Sequence, residues 1–290
     1  MRQLQSTPFL PPGPWPPAKF QRMPRLALLI TTLALACAEL SSPVEWRDAR
    51  ARDADALPGR LALRGDSVAF VADTLAAGVT LPAGACPRSA RVAWSGASGV
   101  ERYVVWWAPR PDSSAALMSA RSVDGGRSWA PAEPVDTVDR STVGCERPAP
   151  AVAADSASGY VHVAYSMRAP EGTGVFFSHS MEHGHMYHSP VAIMYGDALR
   201  EVDVASLGDT VAVAFVQPTR TRSELGVALS RTMGHIFEDR VTVPASGDAT
   251  DPAVALAPGR IAVAWVQRAP ESTPVLLTRI GARPAPTTTR

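Results

Sequence analysis

Two features of the sequence recur with the same spacing, and this shared period constrains the fold more than any other property of the chain. The first is an alternating apolar segment, which begins at Tyr103, Val161, Val211 and Ile261, at intervals of 58, 50 and 50 residues. The second is an eight-residue turn motif, here called the box, which begins at Ser122, Ser180 and Ser230, at intervals of 58 and 50. Because two independent features keep one spacing, they indicate a structural repeat of the size of a propeller blade.

The box is a hairpin corner that can stabilise itself. Its clearest copy, at 122–129, reads S-V-D-G-G-R-S-W. The Asp124 carboxylate can accept backbone N–H bonds inside the turn, Gly126 permits a positive φ, and Trp129 can bury the turn. Weaker copies follow at 180–187 and 230–237, with Glu182 and Thr232 in the aspartate position.

This motif resembles the Asp box of sialidase-like β-propellers, also called the bacterial neuraminidase repeat, and the resemblance covers roughly residues 58–281. It implies an all-β propeller whose boxes lie on the face away from the ligand. It also implies a structural role for the residues of the clearest box: Ser122, Asp124, Gly126, Ser128 and Trp129.

The repeats predict four clear four-stranded blades, with inner strands centred on Val92, Val152, Val204 and Val254. Residues 61–72 begin like a further repeat but lack a box, with 79–81 as a further strand, so we expect this N-terminal segment to close the ring. The last unit has a third strand at 275–279 and no fourth strand of its own, and the N-terminal segment is the candidate to supply it. Blade number stays open between four and six.

The composition fits many short strands better than long helices, since the 290 residues include 27 prolines and 21 glycines and only 19% are charged. The net charge of +1 includes Arg2, Lys19, Arg22 and Arg25, and no acid precedes residue 37. Removing those four leaves 24 arginines against 27 acidic residues, a net charge of −3. Such a domain is a poor candidate for nucleic-acid binding.

Lys19 is the only lysine, so the remainder of the chain lacks a lysine for a Schiff base, a P-loop or general-base catalysis. The sequence also contains no H-E-x-x-H, G-x-S-x-G or paired C-x-x-C motif. We therefore expect no cofactor and no metal.

The N-terminus predicts export. Residues 1–22 are rich in proline and are interpreted as an over-extended gene start, and 23–36 as a signal peptide with an uncharged stretch at 26–36, too short to span a membrane. Ala34 and Ala36 suit ordinary signal peptidase, whereas residues 33–37 resemble a lipobox that would place a lipid on Cys37. The expected location is the cell envelope, with a lipid anchor as the only membrane attachment, or the medium. Residues 37–57 are expected to be a polar tether and 282–290 a disordered tail.

Cys86 and Cys145 are the two cysteines left if Cys37 is lipidated. Each stands just before an inner strand of successive repeats, so a disulfide between them is plausible in an oxidising compartment. Two free buried thiols are the alternative.

Mapping the repeat register onto the face opposite the boxes gives the candidate ligand-binding residues. The loops that lead into the inner strands carry Arg88, Arg147, Arg200, Glu201, Asp203 and Asp251, and the loops after the second strands carry Arg110, Arg168, Arg220 and Arg268. A ring of guanidinium groups would attract an anionic ligand. Alternatively, these arginines only pair with nearby acids.

Sialidases clamp the substrate with three arginines and use a tyrosine activated by a glutamate. Here the usual F/Y-R-I-P motif is absent and no tyrosine follows Tyr195. The expected function is therefore non-catalytic binding of a glycan, another anionic small molecule or an envelope protein; the alternative is an exo-acting glycoside hydrolase of sialidase type. His179, His183, His185 and His188 surround the second box and are interpreted as solvated turn residues rather than a metal site.

Overall fold

The structure is a computed structural model that describes residues 42–72, 79–95, 99–155 and 157–283. These residues form nineteen β-strands and no helix. Within this part of the chain, no helix has the length and hydrophobicity needed to cross a membrane. The expected leader (1–36), Cys37 and residues 284–290 of the expected tail lie outside the described residues.

The strands are arranged in one hairpin and four antiparallel sheets. The N-terminal strands are β1 (Glu45–Trp46) and β2 (Arg50–Asp53), followed by the hairpin of β3 (Arg60–Arg64) and β4 (Ser67–Val71). The first sheet contains β5 (Arg91–Ser95), β6 (Glu101–Pro109), β7 (Ala115–Ser122) and β8 (Glu133–Asp136).

The second sheet contains β9 (Ala151–Ala154), β10 (Val161–Ala169), β11 (Gly172–Ser180) and β12 (Val191–Tyr195). The third contains β13 (Val202–Leu207), β14 (Thr210–Pro218), β15 (Ser223–Ser230) and β16 (Asp239–Thr242). The fourth contains β17 (Ala249–Ala257), β18 (Arg260–Gln267) and β19 (Val275–Ala282). Each sheet runs outward in chain order from its inner strand, the order of a propeller blade.

The N-terminal segment supplies the outer strand of the fourth sheet, because β1 and β2 both pair antiparallel with β19. The prediction of a polar tether is therefore wrong for 45–46 and 50–53. Arg50 and Arg52 are exposed on β2, and charged side chains are what an outermost strand needs to resist pairing with another chain. This charge made the segment resemble a linker. β19 also continues to Ala282, three residues beyond the predicted third strand.

Neighbouring sheets share apolar cores, which fixes their order around the ring. Trp107 of the first sheet meets Tyr165 of the second edge to face, with ring centroids 6.0 Å apart. One further core joins the second and third sheets, and another joins the third and fourth around Trp265. Leu61 and Phe70 of the hairpin pack on the fourth sheet. The order is therefore hairpin, fourth, third, second and first.

The hairpin also meets the first sheet, since the guanidinium carbon of Arg60 lies 3.5 Å from the centroid of the Trp94 ring. Val79 and Leu81 pack on the first sheet too, although residues 79–81 form a coil and not the predicted strand. The fold is thus an all-β propeller with four full blades and the hairpin as a fifth, two-stranded module.

The three boxes repeat one set of hydrogen bonds. The first serine of each box accepts the N–H of the glycine four residues later, with Oγ to N distances of 2.8, 3.1 and 3.0 Å. In the clearest copy, Asp124 also accepts the N–H groups of Arg127 and Ser128 at 2.9 Å. The aromatic residues of the second and third boxes pack on the preceding sheet, Tyr187 in the core that contains Trp107 and Phe237 on Phe177 with centroids 5.0 Å apart. The boxes therefore help to seal the seams between blades.

Candidate functional site

The five inner strands begin around one cavity of about 400 Å³ at the end of the ring that their preceding loops form. This cavity is here called the axial cavity. Every module contributes to its lining, and three prolines make part of its wall: Pro148, Pro150 and Pro252. Its ionisable lining residues are Arg60, Arg91, Glu201, Asp203 and Asp251.

Two acids of the third blade reach across to the fourth. Glu201 and Asp203 are two residues apart on an extended chain, so both side chains point to the same side. The N–H of Asp251 donates to Glu201 Oε2 at 2.9 Å, and the N–H of Val254 donates to Asp203 Oδ2 at 2.8 Å. These bonds hold the two carboxylates at the cavity wall and join the two blades.

A β-bulge makes the backbone of the fourth blade available for these bonds. The pairing of β17 with β18 shifts register between Thr250 and Ala253, and Asp251 has a φ of 48°. Pro252 follows and has no N–H to donate. The irregular stretch turns its remaining N–H groups away from β18 and toward the acids of β13.

Burial raises the pKa of Asp203 from 3.8 to about 6, although the N–H of Val254 and the positive charges of Arg60 and Arg91 act in the opposite direction. The Asp251 carboxylate lies 3.3 Å from Arg268 Nη2 and accepts the Thr250 hydroxyl at 3.0 Å. The Asp251–Arg268 ion pair is counted as neutral. The other charged residues that line the axial cavity are two arginines, Arg60 and Arg91, and two acids, Glu201 and Asp203. The axial cavity therefore carries donors and acceptors without a strong excess of either sign.

The two lining arginines are held by contacts with neighbouring groups. Arg91 Nη1 donates to the carbonyl oxygens of Ala90 at 2.8 Å and Arg88 at 3.2 Å, while Arg60 stacks over Trp94. The sequence prediction did not select Arg60 or Arg91. Arg91 could have been found, because it precedes Val92 as Asp203 precedes Val204 in the repeat register.

The structure brings three of the predicted residues, Glu201, Asp203 and Asp251, into the axial cavity. Arg147 is the clearest departure, because its side chain is 0% exposed and Nη1 lies 2.7 Å from Asp139 Oδ2. Arg110 donates to the Thr137 carbonyl at 2.6 Å. Arg200 pairs with Asp197 at 3.0 Å and Arg268 with Asp251, as stated above.

Arg88, Arg168 and Arg220 are exposed and do not line the axial cavity. A single ring of arginines around the mouth is therefore not formed. Pairing with local groups describes Arg147, Arg200 and Arg268 better, since each lies close to an acid. The register mapping selected the end of the ring where the axial cavity lies but could not show which way each long side chain turns.

No tyrosine lines the axial cavity within the part of the chain that the structure describes. Tyr165 donates to Asp136 at 2.6 Å inside the core, and burial raises its pKa well above 10. Tyr103 lies beside Glu101 and His183 at the seam sealed by the second box, and burial raises its pKa as well. A tyrosine–glutamate pair thus exists, but at the box end, where the tyrosine is fully buried.

Cys86 and Cys145 form a disulfide that joins the loops before β5 and β9, with a Cα–Cα distance of 5.3 Å. This bond ties the first two blades together near the axial cavity. The sequence also allowed two free buried thiols, but the structure contains the disulfide.

The histidines near the second box are only partly as expected. His183, His185 and His188 are exposed, but His179 is buried and contacts His188 and His235. The description of His179 as a solvated turn residue is wrong, because it lies on β11 and faces the third blade. Among the described residues, no three metal-ligating side chains converge to hold an ion.

The scan of protein-family models found no match, and no curated protein matches the chain. Structures of β-propellers of the sialidase and neuraminidase type resemble it at low identity. One is the Hadza microbial sialidase Hz136, at 16% identity with a TM-score of 0.46, covering 62% of this chain and 42% of the other. A Dyadobacter fermentans protein described as of unknown function is 15% identical with a TM-score of 0.49, over 66% and 52%.

The α-L-arabinofuranosidase PaAbf62A from Podospora anserina is 12% identical with a TM-score of 0.46, over 75% of this chain and 78% of the other. The chain spans less than two thirds of the length of the first two structures. At these identities the likeness concerns the arrangement of the strands in a propeller.

Proposed function

We propose that the axial cavity binds the exposed end of a glycan without cleaving it. The observation that carries this proposal is the convergence of five inner strands on one cavity of about 400 Å³ lined by both carboxylates and guanidinium groups. Sugar hydroxyls both donate and accept hydrogen bonds, so a wall that mixes acceptors with donors suits them.

The balance of charges favours a neutral glycan over an anionic one. Arg60 and Arg91 are offset by Glu201 and Asp203, and Asp251 is paired with Arg268. A strongly anionic ligand would need an excess of guanidinium groups, and the other predicted arginines do not line the axial cavity.

Two observations support a binding role over catalysis. The carboxylates of Glu201 and Asp203 already accept backbone N–H groups of the fourth blade. The tyrosine and three arginines of sialidase-type chemistry are not assembled among the described lining residues.

The alternative is an exo-acting glycoside hydrolase, and one observation favours it. Three carboxyl groups share the axial cavity, and burial raises the pKa of one of them, Asp203, to about 6. A carboxyl group with a raised pKa beside an ionised one is the pairing that a glycosidase uses as acid and base.

A glycan array with neutral and acidic glycans tests both candidates. We expect the purified protein to bind neutral glycans and to return them unaltered after prolonged incubation, as followed by chromatography. Hydrolysis of a bound glycan, lost in Asp203→Asn, would establish the glycosidase instead. Binding restricted to sialylated or sulfated glycans would contradict the argument from charge balance.

We also propose that the protein is exported and anchored by a lipid on Cys37. The uncharged stretch at 26–36 before Cys37 and the Cys86–Cys145 disulfide support this, because disulfides persist in oxidising compartments. Metabolic labelling with a fatty acid should mark the wild-type protein and leave Cys37→Ala unlabelled. Label retained by Cys37→Ala, or an unlabelled wild type recovered from the medium, would contradict the anchor.

A further inference from the structure

Five aromatic rings from two blades gather at the seam between the second and third sheets, at the box end of the ring. This group, here called the histidine stack, consists of Tyr160, His162, His179, His188 and His235. His162 on β10 stands opposite His179 on β11 in the strand register. His235 belongs to the third box, so the stack joins a turn of the third blade to the second sheet.

The ring contacts in the stack are close. The His179 ring centroid lies 4.7 Å from that of His188 and 4.6 Å from that of His235. Tyr160 stacks on both His162 and His179, at 5.8 and 5.7 Å. Together with the packing of Phe237 on Phe177, these contacts link the third box to the interior of the second sheet.

The inner members of the stack, His162 and His179, are buried, and three of their four ring nitrogens are buried without a hydrogen-bond partner. His162 is 0% exposed and neither of its ring nitrogens has a partner, and His179 is 4% exposed with an unpartnered Nε2. Phe177 covers another side of His162, with ring centroids 5.9 Å apart. A charged imidazolium at His162 would lack both solvent and a hydrogen-bond acceptor, and one at His179 would leave its Nε2–H without an acceptor.

The groups that face these two rings offer little compensation for a positive charge. His162 is approached by Asp155 from the turn before β10, by His179 from β11 and by His235 from the third box. Asp155 already accepts the N–H and hydroxyl of Ser158 and the N–H of Gly208. His179 is faced by His188 and His235, and these neighbouring histidines oppose a positive charge on it.

We propose that the histidine stack is a pH-sensitive latch, which holds the third box against the second sheet when its rings are neutral and releases it on acidification. His188 and His235 are exposed, so protons reach the stack from solvent. Protonation of His162 or His179 then requires the seam to open, because only the opened state hydrates the imidazolium. The latch acts at the end of the ring opposite the axial cavity.

Burial determines the direction in which pH changes the stability of the closed seam. Burial lowers the pKa of His162 from 6.5 to about 3 and that of His179 to about 4, and neighbouring histidines add to the effect. An opened seam restores the ordinary value, so it binds more protons than the closed seam below pH 6.5. The closed seam is therefore fully favoured above pH 6.5 and weakens progressively as the pH falls toward 4.

A metal site is the competing use of such a cluster. Tyr160 stacks face to face on His162 and on His179, and His179 stacks on His188, an arrangement that sets these rings beside one another rather than around a common centre. No metal-ligating set was found among the described residues, in agreement with this geometry.

Hydrogen exchange of the full chain, measured by mass spectrometry at pH 7.0 and pH 5.0 and corrected for intrinsic rates, tests the latch. We expect peptides covering 160–188 and 231–240 to open at least about tenfold more often at pH 5.0. Peptides covering 101–122 of the first sheet should change much less. Equal pH responses in all three regions would overturn the proposal.

Variants distinguish a pH response caused by the histidine stack from a general loss of stability in acid. His162→Phe and His179→Phe keep an apolar ring of similar size but cannot be protonated, so each should reduce the pH response of the seam. The control His185→Asn changes an exposed histidine of the second box outside the stack and should leave the response intact. If a phenylalanine variant fails to fold, NMR titration of the wild-type imidazole protons decides. Ordinary titration of all histidines near pH 6.5 in the closed state would refute the latch.

Discussion

The guanidinium of Arg147 lies 2.7 Å from the carboxylate of Asp139, and both side chains are almost fully buried, with 0 and 1% exposed. Asp139 also accepts the backbone N–H groups of Ala115 in the first sheet and Arg168 in the second, at 3.2 and 3.1 Å. The Arg147 guanidinium carbon stacks 4.8 Å from the Trp107 ring centroid. This ion pair therefore joins the first two blades.

Replacing Arg147 with alanine should destabilise the protein by about 3–5 kcal/mol, because it leaves the buried Asp139 carboxylate without its cation. Urea denaturation measures the change. The matched control Arg168→Ala removes an exposed side chain but keeps the backbone N–H that Asp139 accepts, so it should stay within about 0.5 kcal/mol of wild type. A small effect of Arg147→Ala would show that the pair does not join the blades.

Gly234→Ala should be markedly more destabilising than Gly208→Ala. Both glycines have a positive φ, 89° and 57°, so alanine strains the backbone at each, by about 1 kcal/mol. An added Cβ at Gly234 would lie 2.5 Å from the Phe177 ring, whereas at Gly208 it meets nothing within 4 Å. We expect a further loss of about 1–3 kcal/mol for Gly234→Ala from this overlap. Equal losses in thermal unfolding would contradict the packing of the third box on the second sheet.

Removing the disulfide should lower the free energy of unfolding by about 2–5 kcal/mol, because the two cysteines are 59 residues apart and the bond restricts a long loop in the unfolded chain. The double variant Cys86→Ala/Cys145→Ala is compared with wild type in urea. A reducing agent should lower the stability of wild type to that of the variant and leave the variant unchanged. If reduction affects both proteins alike, the loss does not come from this bond.

Asp203 should make stability fall as the pH rises. Its pKa is higher in the folded protein, about 6, than the ordinary 3.8, so the folded state binds more protons between these values. The group therefore costs stability progressively from pH 4 to 6, up to about 3 kcal/mol above that range. Asp203→Asn keeps an oxygen for the Val254 N–H but removes the charge.

The stability of Asp203→Asn relative to wild type should consequently increase between pH 4 and pH 6 and level off above pH 7. Urea denaturation at four pH values measures this difference. A difference that does not vary with pH would mean that the Asp203 carboxyl group is well solvated in the axial cavity.

The repeat period predicted the propeller because the repeated features arise from interactions within a single turn or a single strand. Each box serine accepts the N–H of its own glycine, and each second strand alternates apolar residues, so both leave a mark in the sequence. The pairing of β2 with β19 leaves no such mark, since Thr278 and Arg50 meet across 228 residues. The charged residues of β2 therefore gave this segment the composition of a linker.

The sequence predicted at which end of the ring the candidate site lies, but not which side chains turn into it. The register identified the end of the ring where Asp203 and Asp251 face the axial cavity. It could not show that Arg147 turns inward to Asp139, because both residues lie in the irregular loop between β8 and β9, whose path the register does not predict. The burial of His179 likewise depends on His235 of the next blade, which no spacing within one box reveals.

The central claim is that the axial cavity binds a neutral glycan without cleaving it. Calorimetric titration of the best array ligand into wild type, Asp203→Asn and the exposed control Arg168→Ala tests this claim most directly. We expect Asp203→Asn to bind at least about tenfold more weakly at pH 7, because a charged hydrogen bond to a sugar hydroxyl is lost, and Arg168→Ala to bind like wild type. Equal affinity for all three proteins, or release of a cleaved sugar in the wild-type titration, would contradict it.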